Sequence, residues 1–404
     1  MKLPRALGGV LTSLACAACG ARTPLRDDPA PRASTVCAGA APVCVARPGD
    51  PCGAAVQVPP ECDEAAATWR CPAGAWRHAR APESTTVCLP FRDASGTVAS
   101  LGGSLARVPM EDGRCLWIAE DVALAGGARM RNVAMELDPR APFGGCPPVH
   151  FAGGYATGAV VVDGSTDPEL SVQITGGVRV GNVTRVAYRL FQADATAGFG
   201  VRELGTGLGR WDPTMQRIVV SSTPTWDPTL DLGDAAWSDG DTAYVWGCPG
   251  VPAMLAERCV LSRVDAAGAM ELYAGAGRWV ASARAADAVA AFEAGPWVSS
   301  VFRSAAGFAH VYALGFATSL GRHTAPSVEG PWTADARLAD CDLPRDDAHA
   351  FCAGPVVHTE RIDPLRPQEF PVTYGVGTVA SDGAARAAAN PAAYWSRLHL
   401  VAAP

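Results

Sequence analysis

From about Phe91 to the C-terminus, short apolar or alternating runs recur, each bounded by Gly, Pro, Asp or Asn. Cys115 to Ala119, Gly158 to Val162, Val183 to Phe191, Gln216 to Ser221 and Thr242 to Trp246 read as strands. So do Cys259 to Val264, Trp297 to Arg303, Ala309 to Phe316 and Phe370 to Gly375. Helical spacing is visible only in Ala281 to Glu293, which reads equally well as an alanine-rich loop. Many short strands with turn signals mean a sandwich, a barrel or a propeller. Over residues 91–404 the propeller is the preferred all-β form, because it grows around an axis without splitting one core. Gly209-Arg210-Trp211, Gly277-Arg278-Trp279, Gly295-Pro296-Trp297 and Gly330-Pro331-Trp332 each put an indole beside a glycine turn, which supports repetition without a strict period.

The N-terminal quarter follows another pattern. Lys2 and Arg5 precede an apolar run from Ala6 to Ala18, so residues 1–19 read as a signal peptide of lipoprotein type, with Cys19 as the acylated residue. Cys16 and Cys19 also have redox-motif spacing but lack a βαβ setting. Residues 20–36 are rich in Pro, Arg and Asp and read as a flexible tether. Residues 37–90 hold Cys37, Cys44, Cys52, Cys62, Cys71 and Cys88, which predict three bridges in a module too small for a core of its own. The connectivity is open. The segment from Pro51-Cys52-Gly53 to Trp69-Arg70-Cys71-Pro72 resembles small cysteine-rich modules near the N-terminus of myxobacterial surface proteins, and the module reads as a spacer.

Setting Cys16 and Cys19 aside leaves an even number of the 14 cysteines, which in an exported chain points to disulfides. Cys248 with Cys259 and Cys341 with Cys352 are natural short-range pairs, and Cys115 with Cys146 is then expected as a third. No CxxC pair or Cys/His cluster in the mature region suggests a metal, and no cofactor is expected.

Composition narrows the function. The net charge is -7 and the only lysine is Lys2, so a basic nucleic-acid surface, a Walker loop and Schiff-base chemistry are excluded. Gly205-Thr206-Gly207-Leu208-Gly209 lacks the spacing of a dinucleotide loop, and no G-x-S-x-G elbow is present.

Between Asp239 and Gly375 the order of short motifs is informative. Asp241-Thr242-Ala243-Tyr244-Val245-Trp246-Gly247 is followed by Val260-Leu261-Ser262-Arg263-Val264, then Tyr273 and Gly277-Arg278-Trp279. Ser299-Ser300-Val301, Arg322-His323-Thr324-Ala325, Glu329-Gly330-Pro331-Trp332 and Val372-Thr373-Tyr374 come after. This order resembles a bacterial family of five-bladed β-propellers of formerly unknown function, related to endo-D-arabinanases and the wider furanosidase propellers. Cys115-Leu116-Trp117-Ile118-Ala119-Glu120-Asp121 is similar to the family's first-blade strand; Asp121 matches, whereas Glu120 and Val122 depart from its Phe-Gly-Asp-Thr ending.

That resemblance implies an all-β fold, a five-bladed β-propeller preceded by a small disulfide-rich module, and carbohydrate as the partner. Hydrolysis of a glycosidic bond needs two carboxyl groups flanking it. Asp121 is the candidate base or nucleophile, Asp234 its partner, and Glu360 an acid oriented by His358. Trp237 and Trp226, which lie beside carboxylates, are candidate sugar platforms, with Arg131, Asn132 and Arg322 as hydroxyl or anion contacts. The expected function is an exported, monomeric propeller that engages extracellular polysaccharide, possibilities running from a glycoside hydrolase on furanosides to a non-catalytic glycan-binding, adhesive or structural lipoprotein. Its membrane contact is a lipid anchor in the outer membrane, unless the chain is secreted. Cells fed a labelled fatty acid should tag the wild-type chain and leave Cys19→Ser unlabelled; equal labelling would place the anchor elsewhere.

Overall fold

The computed structural model describes residues 37, 39–47, 50–78, 98–124, 129–137, 149–151, 160–197, 200–226, 230–249, 257–294, 298–304, 306–313, 316–333, 336–394 and 396–402. Beyond the small N-terminal module, its strands form five sheets. Sheet I runs from Val98–Pro109 through Cys115–Leu124 and Arg129–Leu137 to Val149–Phe151. Sheet II begins with Leu170–Val180, Val183–Ala193 and Val201–Asp212; Arg217–Ser221 follows and Val160–Asp163 pairs parallel at its edge. Leu232–Ser238, Thr242–Gly247 and Glu257–Asp265 lead sheet III, Ser300–Ser304 and Gly307–Ala313 lead sheet IV, and Ala350–Val357, Glu369–Thr378 and Arg397–Ala402 make sheet V.

The first strand of each sheet touches the first strand of the next, and Ala350–Val357 of sheet V returns to Val98–Pro109 of sheet I. The sheets therefore close into a ring, the arrangement of a β-propeller. Five apolar clusters fill the five interfaces. Val108, Ile118 and Tyr188 join sheets I and II, and Val178, Leu232 and Val245 join II and III. Trp246, Leu261 and Tyr312 lie between III and IV, Val311, Val357 and Tyr374 between IV and V, and Leu398 meets Leu105 and Trp117 where V returns to I. Because a sheet in this ring is covered on both faces, its strands are near-continuous apolar runs: Val186, Ala187, Tyr188 and Leu190 are consecutive or nearly so and all buried.

Two sheets repeat one packing device. Tyr188 pairs with Gly207 and Tyr312 with Gly321, and each tyrosine ring lies over its glycine so closely that a Cβ there would come within 3 Å of it. Gly205 to Gly209 thus belong to a strand, as does Trp211, which the sequence placed at a turn. The helical reading of Ala281 to Glu293 is replaced by one turn of 3-10 helix, Ala285–Asp287, and the strand Ala290–Ala294 that pairs with Glu257–Asp265. The α-helix among the described residues is instead Gly383–Ala389, too short to show a periodic stripe.

The cysteines correct the expected module. Cys37–Cys62 and Cys44–Cys71 close within it, but Cys52 is bonded to Cys115 of sheet I rather than inside the module, and Cys115 is not bonded to Cys146. Spacing alone pointed to the nearest partner; the docking of the module brings a more distant one to 5.1 Å between Cα atoms. Cys248–Cys259 and Cys341–Cys352 form as expected, whereas Cys88 and Cys146 lie outside the described residues. Further contacts fix the module: Thr359 Oγ1 donates to the Cys52 carbonyl at 2.6 Å, Arg107 Nη1 to the same carbonyl at 3.2 Å, and Arg47 Nη2 to the Glu360 carbonyl at 2.5 Å. His78 Nε2 lies 3.4 Å from Asp363. Cys115→Ser should lower stability by roughly 2–4 kcal/mol in urea unfolding and let a protease separate the module from the ring; an unchanged midpoint and digestion pattern would show that the bridge carries no load.

Candidate functional site

Two groups of buried acids stand at opposite ends of the ring. Where the inner strands begin, Arg189 of sheet II faces three carboxyl groups. Its Nη2 donates to Asp231 Oδ2 at 2.9 Å and to Asp234 Oδ1 at 2.5 Å, while Nη1 lies 3.7 Å from Glu203 Oε2. The second oxygen of Asp234 accepts the Cys248 N–H at 2.8 Å. The backbone carbonyl of Asp234 accepts the Ser299 N–H, which reaches sheet IV.

Bulges aim these groups. Leu232 pairs with Gly247 but Ala235 with Trp246, so Gly233 and Asp234 are extra residues on the inner strand of sheet III. On Val201–Asp212 a second irregularity pairs Gly205 with Leu190 but Glu203 with Phe191. Asp121 lies on the second strand of the neighbouring sheet I, opposite Gly102 and Arg131 in register. Its side chain lies outside the described residues. Between them, Gln173 Nε2 donates to Glu120 Oε2 at 2.9 Å, and Asn132 Nδ2 to the Val172 carbonyl at 2.9 Å.

One guanidinium cannot neutralise three carboxylates. Burial, with the Asp231 charge adding to it, lifts Asp234 to about 7 against the pull of Arg189. Burial likewise raises Glu203, opposed by Arg189 and assisted by Asp234. Burial works against the charge on Arg189, but Asp234, Asp231 and Glu203 outweigh it and keep the guanidinium ionised. The cluster therefore holds a proton near neutral pH, shared among coupled groups. Asp234 has 0% of its side chain exposed, whereas Glu203 retains 22%, so Glu203 is the member that meets solvent.

Glu360 stands where the inner strands end, away from that cluster. Its Oε1 accepts the Trp117 indole N–H at 2.8 Å and faces His358 Nδ1 at 3.1 Å, and Oε2 lies 3.5 Å from Arg107 Nη1. His358 Nε2 is 2.7 Å from Thr373 Oγ1, and its ring centroid lies 3.6 Å from that of Trp117. A neutral imidazole protonated on Nδ1 satisfies both contacts. Burial lowers the His358 pKa and so favours that neutral form. Burial alone would raise Glu360, yet His358 and Arg107 hold it down at about 2. A carboxyl group this acidic stays ionised at neutral pH, the opposite of what a general acid requires.

The other sequence candidates are scattered. Trp237 is half-buried and lines a cavity at the Glu360 end of the ring. Trp226 is buried in the core between sheets II and III, bridged through its backbone to Thr206. Asn132 is buried at the joint of sheets I and II, Arg131 is exposed beside it, and Arg322 sits on the third strand of sheet IV. Cys19 lies outside the described residues. Arg189, Glu203 and Asp231 escaped the sequence reading; the spacing of Asp231 and Asp234 around Gly233 is the local signal that marks them.

A closed ring of mainly antiparallel sheets with polar groups gathered at its ends defines a β-propeller. The fold is similar to that of a candidate hydrolase from Bacteroides ovatus, with TM-score 0.53 and 12% identity over 75% of this chain and 86% of that one. An exo-β-1,3-galactanase from Phanerochaete chrysosporium gives TM-score 0.44 and 11% identity over 78% of this chain and 63% of that one. An endo-arabinase from Bacteroides thetaiotaomicron gives 0.41 and 10%, over 78% and 98%. At 12% identity the likeness to the first of these is one of fold alone. No protein-family model matches the sequence, and no curated protein is similar to it in sequence.

Because the folded value of about 2 for Glu360 lies below its ordinary 4.5, its stabilisation is present above pH 4.5 and is lost as pH falls toward 2. Glu360→Gln should therefore cost roughly 3 kcal/mol at pH 7, with wild-type and variant urea midpoints converging across that window. A difference that does not vary with pH would show that the charge is not its source.

Proposed function

We propose that the protein is an exported five-bladed propeller that hydrolyses a furanoside-containing polysaccharide, with Glu203 as general acid and Asp121 as base or nucleophile. The observation that carries this reading is the Arg189 cluster: three carboxyl groups around one cation, a proton retained at neutral pH, and one member facing solvent. A leaving sugar oxygen needs such a proton, whereas the opposing carboxyl group must be ionised. Asp234 stands behind Glu203 across Arg189, and the coupled pair shares the retained proton until the leaving group takes it. Asp121, on the neighbouring sheet I, supplies the second carboxyl group. Glu360, ionised and enclosed, is assigned to structure. The disulfides fit an oxidising compartment, and the reading includes a lipid anchor at Cys19 as the sole membrane contact of a monomer.

Non-catalytic glycan binding is the second reading, favoured by the complete enclosure of Asp234. Incubation of the purified protein with arabinan, galactan and xylan separates the two. We expect release of reducing ends from a furanoside polymer, with kcat/KM falling as pH rises through about 7, where Asp234 loses its proton. Glu203→Gln should lower kcat/KM by about 10²–10⁴-fold with substrate retention intact. Retention without release by the wild type would favour the binding reading, and neither would overturn both.

A further inference from the structure

The end of the ring opposite the Arg189 cluster holds a cavity of about 760 Å³, within the range of small-molecule sites. Residues of sheets I to IV line it where their inner strands end, with Thr359 just after that of sheet V, and Asp50, Cys52, Gly53 and Ala54 of the module form one wall. That wall is fixed by the Cys52–Cys115 bridge and by the bonds from Thr359 and Arg107 to the Cys52 carbonyl. The module is thus part of a preformed site, which spares a ligand the cost of ordering it.

The lining is positive although the chain as a whole carries -7. Three arginines face two aspartates. Arg107 is already committed to Glu360. Arg303 of sheet IV is exposed and has no ion-pair or hydrogen-bond partner among the described residues. Arg179 of sheet II spends its Nε on the Gly181 carbonyl and an Nη on Asn182 Oδ1 at 3.5 Å, neither of them a charge. The two aspartates are occupied. Asp239 accepts the Asp241 and Thr242 N–H groups and the Tyr244 hydroxyl, and Asp50 accepts the Cys52 N–H. Burial raises the pKa of Asp50, against the Cys52 N–H and the charges of Arg107 and Arg179, so Arg303 is the arginine of the lining left without a charged neighbour among the described residues.

Between Arg179 and Arg303, on sheet III, stands Trp237. Its indole is held by Phe308, edge-on at 4.9 Å between centroids, and by Tyr244 at 5.6 Å. A braced indole offers a platform for the C–H face of a sugar ring, and a guanidinium binds a carboxylate with directed, charge-assisted hydrogen bonds. We propose that this cavity binds an acidic saccharide, a sugar ring bearing a carboxylate, with Trp237 under the ring and Arg303 and Arg179 on the anion. The site is separate from the Arg189 cluster and does not depend on hydrolysis there.

Calorimetry of the full chain with an oligogalacturonide, with its carboxyl-reduced neutral form and with inorganic sulfate tests this. The acidic oligosaccharide should bind, and the neutral form should bind about 10–100-fold more weakly, the loss expected for a charge-assisted contact. Arg303→Ala should show a similar loss with its thermal midpoint unchanged, and Trp237→Phe an intermediate one. Glu203→Gln should bind like the wild type, so that failure of the hydrolase reading would leave this result standing. Equal affinity for acidic and neutral forms, full affinity in Arg303→Ala, or no binding would overturn the proposal. Sulfate binding as tightly as the oligosaccharide would do the same, reducing the cavity to an anion site without a sugar.

Discussion

The ring depends on one carboxylate. Glu360 lies in the 3-10 turn that follows the inner strand of the last sheet, yet its hydrogen bonds run to Trp117 and Arg107 of the first. Every other junction in the circle joins sheets that follow one another along the chain, so a connecting segment assists it. The junction of sheets V and I has no such help, and its apolar part is comparatively small. A buried charge left without partners costs several kcal/mol, so this network discriminates strongly between a closed ring and an open one. Arg107 of this network and Thr359, next to Glu360, also hold the Cys52 carbonyl, so ring closure and the docking of the module share their contacts.

Architecture was legible because it depends on local pattern. Runs such as Val183 to Phe191 and Thr242 to Trp246 announce strands buried on both faces, and their number and spacing announce a ring. Short-loop bridges such as Cys248–Cys259 were legible for the same reason: both ends sit on one hairpin. Cys52–Cys115 was not, because no local pattern encodes which surface a module will dock against. The alanine-rich stretch before Glu293 misled because its apolar spacing fits more than one structure; pairing with Glu257–Asp265 decided for a strand.

The site was legible only in part, for a geometric reason. Four of the inner strands carry irregularities, at Gly102/Leu105, Ile174/Gly176, Leu232/Ala235 and Ala353/Val356. Each shifts the alternation by which a sequence tells one face of a strand from the other. Asp234 was expected as the partner of Asp121, whereas its state is set by burial, by Arg189 on another sheet and by Asp231. Glu360 looked like a proton donor beside a histidine; that same His358, with Arg107 from the far end of the chain, keeps it ionised. Charge states at this level belong to the assembled ring rather than to any segment of it.

The bridge between Cys52 and Cys115 also bears on how the protein is made. Among the described cysteines of the N-terminal region, no partners are neighbours in order: Cys37 joins Cys62, Cys44 joins Cys71, and Cys52 reaches past both to Cys115. A chain oxidised as its cysteines emerge one by one would join Cys37 to Cys44 and strand the rest. Native pairing therefore requires either that the first hairpin of the ring is present before Cys52 is oxidised, or that mispaired thiols are exchanged afterwards. Maturation of the small module thus waits on the large domain that follows it.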